Sequence, residues 1–315
     1  MQPMQTALNR HRTFYVLWSA IIIVLILIRY ISDSTLTITL MAAKLLDGLI
    51  VSVLIGLFVT GFSGWLAKPD EDQDVLAVDD GKLRHELELA REKSHMWHFK
   101  GGTGTYTRAR TIPDMAKIAR RTGPREIRIE ILDPFDDRVC EAYSSYRRGL
   151  GADSKASDVP SAWTKTRVKR ELFATIIAAY LYQLTEPQIS IFIGLSGSVS
   201  AFRYDCSSES VVITTADSNS KSLLAKSGTP HYHAFLSEVE LSWKQCQILN
   251  LNKIEHVFDP NNYTSITSIK DDILDNKKCE EILCLFFPNN QVNLDEEDLK
   301  FIQRSVLHPK DYYSV

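Results

Sequence analysis

The sequence predicts an α/β fold in which an N-terminal two-helix transmembrane hairpin precedes a cytosolic domain with a mixed sheet. Two observations predict it. Two long apolar segments occupy the N-terminal part, whereas the rest of the chain alternates short runs of strand periodicity with longer helical runs. Such alternation is typical of a sheet with parallel strands, because a helix returns the chain to the same edge of the sheet.

The hairpin is predicted from the two apolar segments, about residues 13–31 and 45–66. Each is long enough to cross a hydrocarbon core of about 30 Å. The connection at 32–44 is too short to be a domain, so both chain ends lie on one side. Flanking arginines and lysines favour cytoplasmic ends by the positive-inside rule. We therefore expect a hairpin over 1–68 in a multi-pass protein of the cell inner membrane, with both termini cytoplasmic.

Small residues recur at every fourth position of the second apolar segment. They are Gly48, Ser52, Gly56, Thr60 and Gly64. On a helix they share one narrow face, along which two backbones can approach closely. Two interpretations stay open. The face either packs the hairpin against its own first helix or associates copies of the chain into a homo-oligomer within the lipid bilayer.

The remaining elements follow in order along the chain. Residues 69–95 read as an acidic linker and a connecting helix, 96–249 as an α/β sensor domain, and 250–315 as a mostly helical extension. The domain is predicted to contain a strand at 96–100, a Gly-rich loop at 101–108, a helix from Thr111, a strand at 126–132, a helix through Arg148, a long helix at 163–184, strands at 189–195, 199–204 and 211–215, and a helix at 231–249. The strand at 126–132 is assigned from the alternation of apolar and charged residues in EIRIEIL, and the helix from Thr111 from its capping-box start with Asp114.

Charge and cysteine content limit the classes of function. The net charge of −3 gives the chain as a whole no signature of nucleic-acid binding, and the five cysteines form no CxxC pair and read as reduced thiols. A basic stretch with few acids is nevertheless suited to an anionic ligand. It comprises Arg108, Arg110, Lys117, Arg120, Arg121, Arg125 and Arg128.

The Gly-rich turn KGGTGTYTR follows a predicted strand and suggests a phosphate site. Glycines expose backbone N–H groups, and nearby arginines neutralise an anion. The predicted ligand-binding residues are Gly101, Gly102, Gly104, Arg108, Arg110 and Asp133, the last at the end of the next strand. A plain strand-to-helix turn, with Asp133 capping the following helix, is the alternative.

His98 and Lys100 spell HxK, which begins the phospholipase D signature. That chemistry needs two histidines, one as nucleophile and one as general acid. The chain has a single HxK, with Thr105 at the position where the signature has aspartate, which argues against catalysis and leaves the question of an enzyme open. His231 and His233 lack a nearby set of metal-binding side chains, so no metal site is predicted. No other cofactor is predicted either.

Two further groups of residues have the composition of a nucleotide site. Tyr143, Tyr146, Arg147 and Arg148 could stack on a base and pair with a phosphate if they face one cleft. The basic helix start Trp163–Arg170 is suited to lipid headgroups, RNA or a nucleotide. A solvated helix face is the alternative for the second group.

The order WHFKGGTGTYTRARTIPDMAKIA, IRIEILDP, CEAYSSYR, AFRYD and VVITTAD is similar to the phospholipase D-like α/β fold of non-catalytic sensor domains. With two preceding spans, the chain resembles bacterial membrane-anchored anti-phage effectors that accompany second-messenger synthases or retrons. The resemblance implies an effector that senses an infection signal and disrupts the inner membrane, causing abortive infection. The partner it implies is a nucleotide second messenger or a retron reverse transcriptase complex. A membrane-tethered phosphodiesterase or nuclease of the phospholipase D-like type is the alternative, and a membrane-bound scaffold or receptor is a third.

Overall fold

The computed structural model describes residues 23, 27, 47–56, 58–59, 74–150, 163–217, 220–251 and 274–308. The chain divides into two compact units, Met1–Gln73 and Asp74–Val315.

The first unit corrects the prediction of a membrane hairpin. None of the helices formed by the described residues combines the length and the apolar character that a membrane span requires. The predicted transmembrane hairpin and the multi-pass inner-membrane localisation with cytoplasmic termini are therefore wrong on this structure. The rest of 13–31 and 45–66 lies outside the described residues.

The small-residue stripe is described only in part. Ser52 Oγ donates a hydrogen bond to the Gly48 carbonyl at 2.9 Å, within the same helix. A Cβ atom built on Gly48 or Gly56 would meet no heavy atom within 4 Å, apart from its own helix backbone. Thr60 and Gly64 lie outside the described residues.

The second unit is a mixed α/β fold. Its strands are β1 (Leu76–Val78), β2 (Met96–Lys100), β3 (Arg125–Leu132), β4 (Ile189–Ser196), β5 (Phe202–Ser207), β6 (Ser210–Thr215), β7 (Ser222–Lys226) and β8 (Gln247–Leu249). Its helices are α1 (Asp80–Lys93), α2 (Ile112–Thr122), α3 (Asp137–Gly149), α4 (Lys165–Thr185), α5 (Pro230–Trp243), α6 (Asn276–Phe286) and α7 (Glu296–Leu307). A π-helical turn, Thr107–Thr111, leads into α2.

The strands form one sheet in the order β1-β7-β6-β5-β2-β3-β4-β8. β2, β3 and β4 run parallel at its centre, and helical crossovers connect them. β5 pairs antiparallel with β2, with Tyr204 opposite Lys100, and starts the antiparallel meander β5-β6-β7. Short antiparallel strands end the sheet on both sides, β1 beside β7 and β8 beside β4.

Different helices pack on the two faces of the sheet. Alternate apolar residues of the central strands, such as Trp97, Ile129 and Ile193, share the main core with α1–α4, α6 and α7. The opposite face is covered by α5, which contributes the buried Tyr232 and Val239 to a small second core over β5–β7. Most of the buried apolar surface therefore lies on the face that carries α3 and α4.

Candidate functional site

The loops that follow the three parallel strands meet at one edge of the sheet. The Leu132 N–H donates to the Gly102 carbonyl at 3.1 Å, and the Asp133 N–H donates to the Ser196 carbonyl at 3.0 Å. Tyr146 of α3 donates its hydroxyl to the Ala201 carbonyl at 3.1 Å, which joins α3 to the loop after β4. Open α/β sheets bind ligands at this edge, beyond the carboxyl ends of parallel strands.

The glycines of the turn are required by close packing. A Cβ atom on Gly102 would lie 2.2 Å from Tyr143 Cζ, and one on Gly101 would lie 2.6 Å from Phe99 Cζ and 3.1 Å from Arg203 Cγ. Gly104 has a φ of 69°, which favours glycine. The Gly101 N–H donates to the Glu130 carbonyl at 3.0 Å. The turn therefore brings Tyr143 and Arg203 against its backbone, and the Gly101 N–H is already used within the sheet.

Two of the predicted ligand residues are committed to other partners. Arg108 is 1% exposed and donates from Nη2 to Glu171 Oε2 at 2.7 Å and from Nη1 to the Glu171 carbonyl and Thr175 Oγ1. Asp133 Oδ1 accepts a hydrogen bond from the Phe135 N–H at 2.8 Å, which forms a turn before α3. Arg110 is exposed. The structure thus gives Arg108 a partner within the core, and Asp133 a local one.

A cluster of aromatic and basic side chains lies beside the turn. Burial raises the pKa of Tyr143, and the guanidinium groups of Arg147 and Arg203 act in the opposite direction. Arg203 follows from the strand order, because β5 lies next to β2 and places Arg203 level with Gly101. We call Tyr143, Arg147, Trp163 and Arg203, with Gly101–Gly102, the edge cluster.

Trp163, which lies just before the start of α4, links α3 and α4 within the edge cluster. Its ring centroid lies 4.5 Å from Arg147 Cζ of α3 and 4.5 Å from Arg167 Cζ of α4. Tyr143 contacts the indole edge-on, with ring centroids 6.0 Å apart. Guanidinium groups are attracted to the indole face by its quadrupole. Two cations are therefore held over one aromatic ring at the edge of the sheet.

Sequence reasoning found only part of this cluster. Tyr143, Tyr146, Arg147 and Arg148 were predicted as base and phosphate contacts if they share a cleft. The structure places Tyr143 against the turn and Arg147 over the Trp163 ring, whereas Arg148 donates to the Trp163 carbonyl at 2.6 Å and pairs with Glu141 at 3.4 Å. The basic start of α4 contributes Arg167. Arg203 carries no motif, and the adjacency of β5 and β2 cannot be read from the sequence.

The alternative catalytic residues lie on the opposite face of the sheet. His98 is 1% exposed and contacts Trp243 of α5 with ring centroids 5.0 Å apart. Burial, reinforced by the Arg128 and Lys100 cations, lowers the pKa of His98 to about 3. Lys100 pairs with Glu238 at 3.6 Å. The HxK residues are thus covered by α5 and do not line the edge cluster.

Comparisons with known proteins identify no family for this chain. No protein-family model matches the chain, and no curated protein matches it. Among solved structures, it is similar to TrmBL2, an archaeal chromatin protein whose structure shows a novel mode of DNA binding. The match has a TM-score of 0.29 and 10% identity, and it covers 65% of this chain and 65% of that chain. The chain therefore spans less than two thirds of that protein, and a similarity this low supports neither a fold nor a function.

Proposed function

We propose that the second unit is a non-enzymatic module that binds a phosphate-bearing ligand at the edge cluster. One observation carries the proposal. Arg147 lies over the Trp163 ring and Arg203 packs against the Gly101–Gly102 turn, where its Nη2 donates to the Thr215 carbonyl at 2.6 Å. Neither guanidinium group lies within 4 Å of a carboxylate oxygen among the residues that the structure describes. The guanidinium group offers planar, paired N–H donors that match phosphate oxygens. Two such groups at one sheet edge suit a phosphate.

Many other arginines of this unit pair with carboxylates, although Arg125 donates to backbone carbonyls, as Arg203 does. Carboxylates pair with Arg91, Arg108, Arg120, Arg128, Arg138, Arg148 and Arg170. A guanidinium group without a carboxylate partner keeps N–H donors that can bind phosphate oxygens. The edge cluster therefore carries positive charge that a phosphate would neutralise.

A binding role accounts for the cluster better than a catalytic one. A phosphoryl-transfer enzyme of the predicted type needs an accessible nucleophilic histidine and a general acid. His98 lies on the other face of the sheet beneath α5, and the described residues contain no group of three or more His, Cys, Asp or Glu side chains placed to hold a metal ion. Asp133, at the end of the next strand, accepts a hydrogen bond from the Phe135 N–H, and Glu171, which accepts one from Thr105 of the turn, pairs with Arg108.

We propose further that this binding is the sensing step of an anti-phage effector. The support is the resemblance described for the sequence. Its implied ligands, a nucleotide second messenger or a retron complex, both carry phosphates and so fit the edge cluster. The proposed role does not include membrane disruption, because no helix formed by the described residues is long and apolar enough to span a membrane. Loss of phage protection in Arg147→Ala cells, at unchanged protein level, is the expected result, and full protection there would contradict this role.

The binding itself is tested by calorimetric titration of the full chain with pyrophosphate, ATP and cyclic di-AMP. We expect at least one of these to bind, and Arg147→Ala or Arg203→Ala to weaken it by about tenfold or more, because a charge-assisted hydrogen bond contributes about 1.5–3 kcal/mol.

Arg138→Ala is the matched control. Arg138 lies on the same helix, its side chain is 90% exposed, and it pairs with Asp136 at 3.1 Å. Its removal changes the net charge equally but should leave the affinity unchanged. Equal weakening by all three substitutions would mean that the ligand senses net charge only, and the proposed site would be abandoned.

A further inference from the structure

The edge cluster contains an aromatic platform as well as cations. Trp163 is 9% exposed, and its ring is covered in part by the Arg147 guanidinium, with Cζ 4.5 Å from the ring centroid. Tyr143 and Tyr146 extend the aromatic group, with ring centroids 6.3 Å apart. A phosphate alone requires no such platform. Nucleic-acid bases, by contrast, stack on aromatic rings whatever their identity.

The two neighbouring arginines of α3 are held differently. Arg148 donates to the Trp163 carbonyl, to Ser145 Oγ at 2.9 Å and to Glu141, so its guanidinium is fixed by several acceptors. Arg147 stacks on the indole, while its Nε is buried and has no hydrogen-bond partner among the described residues. Arg148 therefore fixes the backbone of Trp163, and Arg147 covers the ring with an unsatisfied donor.

We infer that the ligand is a nucleotide, and that its base replaces the Arg147 guanidinium over the Trp163 indole while that guanidinium turns to the phosphate. This inference rests on the proposed function. The exchange conserves favourable contacts: the indole passes from a cation to a base, and Arg147 passes from a cation–π contact to a stronger charge-assisted pair. It also gives the unpartnered Nε–H an acceptor. Trp163 is thereby the residue that distinguishes a nucleotide from an inorganic anion.

The test compares ligands that share a diphosphate. The full chain is titrated with ADP, GDP, CDP, UDP and pyrophosphate by calorimetry. We expect at least one nucleoside diphosphate to bind about tenfold more tightly than pyrophosphate, since base stacking on an aromatic side chain has this magnitude. Trp163→Leu should reduce that ratio to within about twofold while pyrophosphate still binds.

Arg147→Ala provides a second readout that leaves the buried indole in place. It should weaken pyrophosphate about tenfold, whereas the preference for a nucleoside diphosphate over pyrophosphate should persist or increase, because one of the two guanidinium groups over the ring is removed while Arg167 remains. Arg138→Ala is again the control and should change neither quantity. This arm remains informative if Trp163→Leu fails to fold.

The outcomes separate the two proposals. Wild-type protein that binds pyrophosphate as tightly as every nucleoside diphosphate overturns the nucleotide inference and leaves the phosphate site standing. A nucleotide preference that survives Trp163→Leu overturns the assignment of the base to Trp163. Binding of none of the five compounds overturns the proposed function and the inference together.

Discussion

Arg108 and Arg110, two basic residues of the predicted phosphate turn, differ in their surroundings. Arg108 is buried and pairs with Glu171, which also accepts a hydrogen bond from Thr105 Oγ1 at 3.2 Å, whereas Arg110 is exposed. Residue type and spacing gave both the same predicted role. What separates them is which side of the helical turn faces α4, and that depends on the packing of helices distant in sequence.

The buried pair predicts a strong dependence of stability on Glu171. Glu171→Ala should lower the free energy of unfolding by about 3–5 kcal/mol, because it leaves the Arg108 guanidinium buried without a counter-charge. The double variant Arg108→Met with Glu171→Leu should recover much of that loss. Urea unfolding measures both. A loss below about 1 kcal/mol for the single variant would show that Arg108 is solvated.

Gly102 predicts a second effect at the residue scale. Gly102→Ala places Cβ 2.2 Å from Tyr143 Cζ, so the ring must move, and overpacking of this kind costs about 1–3 kcal/mol. Gly197→Ala is the control, because a Cβ there meets no heavy atom within 4 Å, and it should change stability by less than about 0.5 kcal/mol. Thermal unfolding of the two variants compares them. Equal stability would mean that Tyr143 does not pack on the turn.

At the scale of elements, α5 and β8 show where sequence periodicity fails. A single helix was predicted over 231–249, but α5 ends at Trp243 and β8 pairs with β4. A three-residue edge strand has too few residues to show an alternating pattern. Its strand conformation is determined by pairing with β4. The predictions of strands at 96–100, 126–132 and 189–195 are confirmed within two residues, because the buried central strands carry clear apolar patterns.

Because α5 packs over His98 and buries it, we expect the free energy of unfolding to depend on pH. His98 faces Lys100 on its own strand, Arg128 and Cys206 on the paired strands, and Trp243 of α5. Its pKa is about 3 when folded and 6.5 when unfolded, so the folded state lacks a proton that the unfolded state binds between these values. The stability contribution is therefore complete above pH 6.5 and is lost as the pH falls, by about 2 kcal/mol at pH 5.

This dependence is measured by urea unfolding of wild type and His98→Gln at pH 7.5 and pH 5. Wild type should lose about 2 kcal/mol more than the variant on acidification. Burial raises the pKa of Glu130, so this group makes the folded state more stable as the pH falls, opposite to His98. That contribution is present in both wild type and His98→Gln and cancels in the comparison. His85→Gln removes an exposed histidine and should behave as wild type. Identical losses in wild type and His98→Gln would contradict the burial of His98.

At the scale of the whole molecule, the edge cluster is assembled from four elements that are distant in sequence. The Gly-rich turn after β2 and the start of α3 could be predicted to lie at one edge, because parallel strands end on the same side of a sheet. The contribution of Arg203 could not, since it depends on β5 lying beside β2 rather than β4. Trp163 could be assigned to a helix start, but its contacts with Tyr143 and Arg147 depend on how α3 packs on α4.

The most direct measurement of the central claim is a pyrophosphate titration followed by NMR of the arginine side-chain Nε–H groups. Spectra of Arg147→Lys and Arg203→Lys assign the two signals. The phosphate site predicts that both signals shift with one saturable binding curve, while those of Arg108 and Arg138 stay in place. Unchanged Arg147 and Arg203 signals, at concentrations where the chain binds pyrophosphate, would contradict the account and place the ligand elsewhere.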